Sequence, residues 1–265
     1  MRAKKLRWAP IIGLAAIMLG GALVPTVMAQ RDPNGRLDFH WGRRSEGELQ
    51  LRVGENLSGG WTRYLRRSVK EWEDSRVVKL RVVDGTTNPN ACDVNRGQVE
   101  VCNARYGETR WLGLTRIEYK TSDRDHITGV RIQLNDTYFD EYQRKDGRRA
   151  RRHTMCHELG HAFGLGHVGG ASCMNDSSRA IFANLDPVDS DFRELRDIYR
   201  HKDPRQDSTV GGGGRTISEE TDGDYGFFDI EQLPNAATSA GGHETRTVTE
   251  SPDGTIAVTY TTWVE

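Results

Sequence analysis

The stretch HELGHAFGLGH, from His157 to His167, carries the reading of this chain. His157 and His161 are four residues apart, so on a helix their rings leave one face about a turn from each other. That spacing suits two imidazole nitrogens each about 2 Å from one zinc ion. Glu158 lies about 100° round the helix from His157 and about 60° from His161. Its carboxylate can border the open side of the metal without ligating it. From there it can take a proton from zinc-bound water and pass it to a leaving amine. Gly164 tolerates the left-handed conformation that ends a helix and reverses the chain. The reversal brings back His167 as third ligand, whereas a continued helix would carry it about 9 Å past His161. Three protein ligands with a fourth position for water make a catalytic zinc site. His153 is four residues before His157, but the ligand set is complete without it.

Working outward, the motif lies on a helix expected over Arg149 to Phe163. Before it, Glu48 to Val53 alternates and reads as a strand, and Trp61 to Asp74 has apolar residues at helical spacing. Val77 to Val83 is rich in valine and ends at Asp84-Gly85, a strand and its turn. Trp111 to Tyr119 and Ile127 to Leu134 are two more strands around a polar turn. After the motif, Ser190 to Tyr199 is a third helix with Asp189 or Ser190 as its cap. Strands and helices in this order define a mixed α+β domain, placed at residues 47–203 behind an N-terminal arm at 30–46.

The motif from His157 to His167, with Met174 seven residues later in Ser172-Cys173-Met174-Asn175, resembles the metzincin zinc metallopeptidases. The Gly-Leu-Gly-His run at 164–167 is most similar to the matrixin branch, as is Leu185-Asp186-Pro187 followed by a helix; the Cys173-Met174 pair looks like the adamalysin branch. The resemblance implies an α+β fold with a mixed, mostly parallel sheet of about five strands, a zinc-bearing helix and a C-terminal helix. It implies a methionine turn beneath the zinc histidines, filled by Met174. It also implies endopeptidase activity on a protein or peptide substrate added as an extended strand beside an edge of the sheet, with the edge sought in Trp111 to Tyr119. Three departures stand out. Asp176 occupies the position where astacins carry a tyrosine ligand, Val168 follows the third histidine, and no cysteine precedes the first strand to act as a latch. Four cysteines allow three pairings. The local one joins Cys92 to Cys102 and Cys156 to Cys173, the second tying the zinc helix to the methionine turn. The other reading leaves Cys156 a free thiol.

The two ends frame this body. Residues 1–29 hold Arg2, Lys4, Lys5 and Arg7, then an apolar run, then Val27-Met28-Ala29, the layout of a secretory signal peptide cleaved after Ala29. An extracellular, secreted protein without a membrane span after cleavage is expected, and with it an oxidising compartment for the cysteines. Residues 204–265 hold 3 basic and 11 acidic residues and the run Gly211 to Gly214, which reads as an acidic linker and tail. Thr245 to Glu250 and Thr255 to Trp263 alternate around Ser251-Pro252-Asp253-Gly254, a hairpin signal. Such a tail could occupy the cleft as an inhibitor. The whole chain has a formal net charge of -1, which argues against a nucleic-acid partner. A monomer is expected. Asp93, Asn95 and Glu100 form a weak calcium site in prospect. Arg148 to Arg152 reads as a solvated helix start. The expected activity is hydrolysis of peptide bonds with one catalytic zinc ion and Glu158 as base. The alternative is a secreted binding protein with a structural or vestigial zinc site, which would have no need of Glu158.

Overall fold

Leu49, Leu51 and Val53 point inward from β1 (Leu49–Asn56) and are buried, as their alternation requires. This computed structural model describes residues 39–43, 47–120, 122–142, 144–177, 179–203 and 244–263. The segment at 1–29 expected to be a signal peptide and the glycine run at 211–214 lie outside the described residues. After β1 come α1 (Thr62–Glu73), β2 (Val78–Asp84), β3 (Gln98–Ala104), β4 (Trp111–Lys120) and β5 (Asp123–Asn135). Then follow α2 (Asp136–Phe139), α3 (Arg144–Ala162), α4 (Ala180–Ala183) and α5 (Asp189–Ile198). The hairpin β6 (Glu244–Glu250) and β7 (Thr255–Trp263) completes the set.

The fold is α+β, as expected, but the sheet has seven strands among the described residues, in the order β2-β1-β3-β5-β4-β7-β6. The expectation of about five fails because the tail hairpin joins the sheet along β4. Nor is the whole sheet mostly parallel. The pairs β1–β2, β1–β3 and β3–β5 are parallel, while β4–β5, β4–β7 and β6–β7 are antiparallel. Strand β3 is not among the strands expected from the sequence. It is an interior strand whose Gln98, Glu100 and Asn103 are all buried. Their polarity is absorbed by hydrogen bonds: Asn56 Nδ2 donates to Glu100 Oε2 at 2.6 Å, and Asn103 Oδ1 accepts from the Ser58 N–H at 2.7 Å.

Tryptophans hold the helices to this frame. Trp72 of α1 donates its indole N–H to the Cys156 carbonyl of α3 at 3.1 Å, and Trp41 donates to the Ala162 carbonyl at 2.8 Å. Each ring thus buries a large apolar surface with its one polar atom satisfied. Phe39 and Trp41 are buried, so residues 39–43 of the expected arm belong to the core. The helix α5 begins one position before the expected start, with Val188 as N-cap. Asp191, three residues on, accepts the Val188 N–H at 2.7 Å, the half of a capping box that does not need a side-chain oxygen on Val188. The cysteines pair locally, Cys92 with Cys102 and Cys156 with Cys173, and such bonds fit an oxidising compartment. Among the described residues, no helix is long and apolar enough to cross a membrane.

Candidate metal centre

The site begins at the end of α3. Leu165 donates its N–H to the Gly160 carbonyl at 3.1 Å and Gly164 donates to His161 at 3.0 Å, the paired bonds of a Schellman turn. The turn needs a left-handed residue, and Gly164 supplies it with φ +94°. A side chain there would also meet the Phe39 carbonyl at 3.0 Å. The reversal brings His167 back beneath the helix, as its spacing predicts. The Nε2 atoms of His157, His161 and His167 lie 3.0, 2.9 and 2.8 Å from one another. They form a cluster that could hold a metal ion.

Each ring is aimed. The Cys173 carbonyl lies 2.8 Å from His157 Nδ1, and the Leu165 carbonyl 2.8 Å from His161 Nδ1. A carbonyl only accepts, so both Nδ1 atoms carry the hydrogen and both Nε2 atoms present a lone pair. Asp176 places a carboxylate oxygen 3.5 Å from His167 Nδ1. Burial pushes the His157 pKa well below the ordinary histidine value, and the neighbouring imidazoles push it the same way, so the ring stays neutral. Two such lone pairs, on nitrogens 3.0 Å apart, with His167 Nε2 within 2.9 Å of both, make a place for a cation. The donor set fits a borderline-soft divalent ion.

Glu158 lies beside this cluster, fully buried. Thr115 of β4 donates its hydroxyl to Oε2 at 2.6 Å, and Thr262 of β7 donates to Oε1 at 2.8 Å. Burial raises the Glu158 pKa to about 7, against the lowering pull of those hydroxyls and of His167. Such a group takes and returns a proton near neutral pH. Gly113 makes the close approach possible, because a side chain on it would lie 2.3 Å from Glu158 Oε1. Met174 is buried beneath, and its sulfur occupies the space a side chain at Gly160 would need. Ser172 Oγ accepts the Met174 N–H at 2.8 Å and donates to Asp191 Oδ2 at 2.7 Å, so the capping residue of α5 also braces this turn. The Cys156–Cys173 bridge links α3 to the same turn.

His153 stands apart from the three. It is buried, with Nδ1 2.6 Å from the Asn184 carbonyl, and its ring lies 5.5 Å from that of His157. The calcium candidates Asp93, Asn95 and Glu100 have side-chain partners of their own. Glu100 is taken up by donors from Asn56, Thr86, Asn95 and Gln98, and Asp93 lies with Thr87. The basic run is engaged rather than merely solvated: Arg152 pairs with Asp186 and Glu71, Arg151 with Asp140, and Arg149 donates to the Phe182 carbonyl.

Sequence reasoning missed the far wall of the site. Tyr260 of β7 stacks on His161 with ring centroids 4.6 Å apart and planes 17° from parallel. Arg246 Nε donates to its hydroxyl at 3.0 Å. A hairpin was legible in the alternation of the tail; its landing place was not. Compared with known proteins, the chain matches no family model, and no curated protein matches it.

Proposed function

We propose that this protein is a zinc-dependent endopeptidase of the metzincin kind, exported by the signal at residues 1–29. One observation carries the proposal: three imidazole Nε2 atoms converge within 3.0 Å of one another beside a buried carboxylate whose pKa is raised to about 7. His157, His161 and His167 would hold the ion. Zinc bound there supplies Lewis acidity, polarising a scissile carbonyl and acidifying water. Glu158 accepts the proton from the attacking water and returns it to the amine that leaves. Thr115 keeps the carboxylate turned toward the histidines. Met174, braced by Ser172 and the Cys156–Cys173 bridge, supports the histidines from below.

β4 is not the edge strand expected, because β7 pairs along it, but the side that β7 takes would suit an extended substrate. Gly113 and Thr115 of β4 face Glu158, so a peptide added there as a strand passes across the carboxylate. A structural zinc site would not need Glu158 in this place, which weighs against the binding-protein alternative. The test is digestion of a peptide library by residues 30–265 and by the tail variant described below, each with and without chelator. Chelator-sensitive, zinc-restored cleavage that Glu158→Ala abolishes, with zinc still bound, is the expected outcome. Zinc-loaded protein of both forms that cuts nothing would overturn the reading.

A further inference from the structure

A second group of ligating side chains lies away from the histidines of α3, where three separate segments meet. His40 comes from the arm, His126 from β5, and His201 and Asp203 follow α5. Asp203 Oδ1 is 3.4 Å from His40 Nε2 and 3.1 Å from His201 Nε2, and those two nitrogens are 3.0 Å apart. The spacings approach the separation of about 3.3 Å between ligands on a tetrahedral ion with bonds of 2.0–2.1 Å. His126 Nε2 lies 3.1 Å from the same Asp203 oxygen.

We propose that His40, His201 and Asp203 bind a second divalent transition-metal ion, with His126 holding the carboxylate in place. The carboxylate is fixed for the task. Its Oδ2 accepts the Arg43 N–H at 2.8 Å, and the Asp203 N–H donates to the Arg43 carbonyl at 2.8 Å. Oδ1 is left facing the imidazoles. A carboxylate oxygen has two lone pairs, which cannot each serve three imidazoles in good geometry. A cation can take His40, His201 and one Oδ1 lone pair together, leaving the other lone pair to His126. Two nitrogens and one oxygen select zinc or a neighbour in its row over calcium or magnesium, which prefer oxygen alone. The His201 side chain is 48% exposed, so the open coordination position faces solvent and takes water. An ion here ties the arm, through His40, to the end of the body. The same arm supports the site, because Trp41 bonds to the end of α3 and Phe39 lies over Gly164.

The experiment is a count of bound zinc on the full chain carrying Glu158→Ala, which prevents self-digestion, after saturation and removal of excess metal. Two equivalents are expected, falling to one with His201→Ala, an exposed position whose loss leaves the fold intact by circular dichroism. Saturation at one equivalent, or two equivalents retained in His201→Ala, would overturn the proposal. Cobalt substitution gives a second readout: loss of one of two visible-absorption signatures in the same variant.

A different observation carries a second inference, which rests on the endopeptidase reading. β7 pairs antiparallel with β4 from Lys120–Thr255 to Trp111–Trp263, along the strand proposed to receive substrate. Its Thr262 hydroxyl occupies one Glu158 oxygen and its Tyr260 ring covers His161. With β7 in place, His157, Glu158 and His161 have no exposed surface. We infer that the C-terminal hairpin holds the enzyme latent by occupying its own substrate site. In the full chain, Val258→Pro with Tyr260→Gly removes a ladder bond, a buried side chain and the cover on His161. This variant should raise kcat/KM on a peptide substrate about 30-fold or more. A synthetic peptide of residues 244–263 should restore inhibition. An intact chain as active as the variant would overturn latency and leave the endopeptidase reading standing. Both forms zinc-loaded and inert would remove both.

Discussion

Glu158 shows how much one side chain owes to its surroundings. Its two oxygens each accept a threonine hydroxyl, one from β4 and one from β7. On the proposed latency, departure of β7 would free one oxygen to take a proton from water. Glu158→Gln should therefore bind zinc normally and lose about 10²-fold or more in kcat, which single-turnover assays of the tail variant would measure. Gly160 supports a second prediction. Alanine is the better helix former by about 1 kcal/mol. Yet a methyl there would lie 2.2 Å from Met174 Sδ and 3.0 Å from Trp72, an overpacking that costs about 1–3 kcal/mol in buried cores. The clash outweighs the propensity, so Gly160→Ala should lower the urea midpoint and weaken zinc binding together. The ligands and base were legible because chemistry constrains their spacing along one helix. Gly113, Thr115, Tyr260 and Thr262 were not, since residues brought together from β4 and β7 leave no spacing to read.

At the scale of elements, α3 and the turn at Met174 act as one piece. The Cys156–Cys173 bridge closes 17 residues, a span whose crosslink adds roughly 3 kcal/mol. His157 Nδ1 is held by the carbonyl of Cys173 itself, so the bridge and the aim of a ligand share a residue. Reduction, or Cys156→Ala with Cys173→Ala, should lower stability by that amount and weaken zinc affinity, read by denaturant titration and by competition with a chelator. The failures of sequence reading have the same kind of cause. Strand β3 hides because it is buried on both faces yet carries Gln98, Glu100 and Asn103, whose polarity hydrogen bonds satisfy. The cap of α5 hides because Asp191 works from inside the helix, where it also accepts from Ser172 of the turn. Strands with one clean apolar face, such as β1, were read nearly to their ends.

For the whole molecule, the question is what fastens the hairpin to the body. The tail is acidic, with 3 basic and 11 acidic residues over 204–265, so charge is one candidate. The described contacts are mostly neutral: Ile256, Ala257, Val258 and Tyr260 are buried, while the exposed Asp253 pairs with Lys120 at 2.6 Å. The hydrogen bond from Lys120, then those within the turn, hold the Asp253 carboxyl below the usual carboxylate range. A carboxyl lowered in the folded state adds stability above its unfolded value, about 3.9, and loses it as pH falls below that. Across pH 5 to 8 the pair is therefore a constant and small term, and salt screens it. Truncating a buried Val258 removes about two methylenes' worth of burial, about 2 kcal/mol with its cavity. If latency follows the docked fraction, Val258→Ala should raise activity about 30-fold while the enzyme remains mostly docked. Asp253→Asn should raise it less than about fivefold. The measurement is peptide hydrolysis by both full-length variants at pH 5, 7 and 8 and at low and high salt. A larger release by Asp253→Asn than by Val258→Ala, or strong release by salt alone, would show that charge rather than the buried face holds the hairpin over the site.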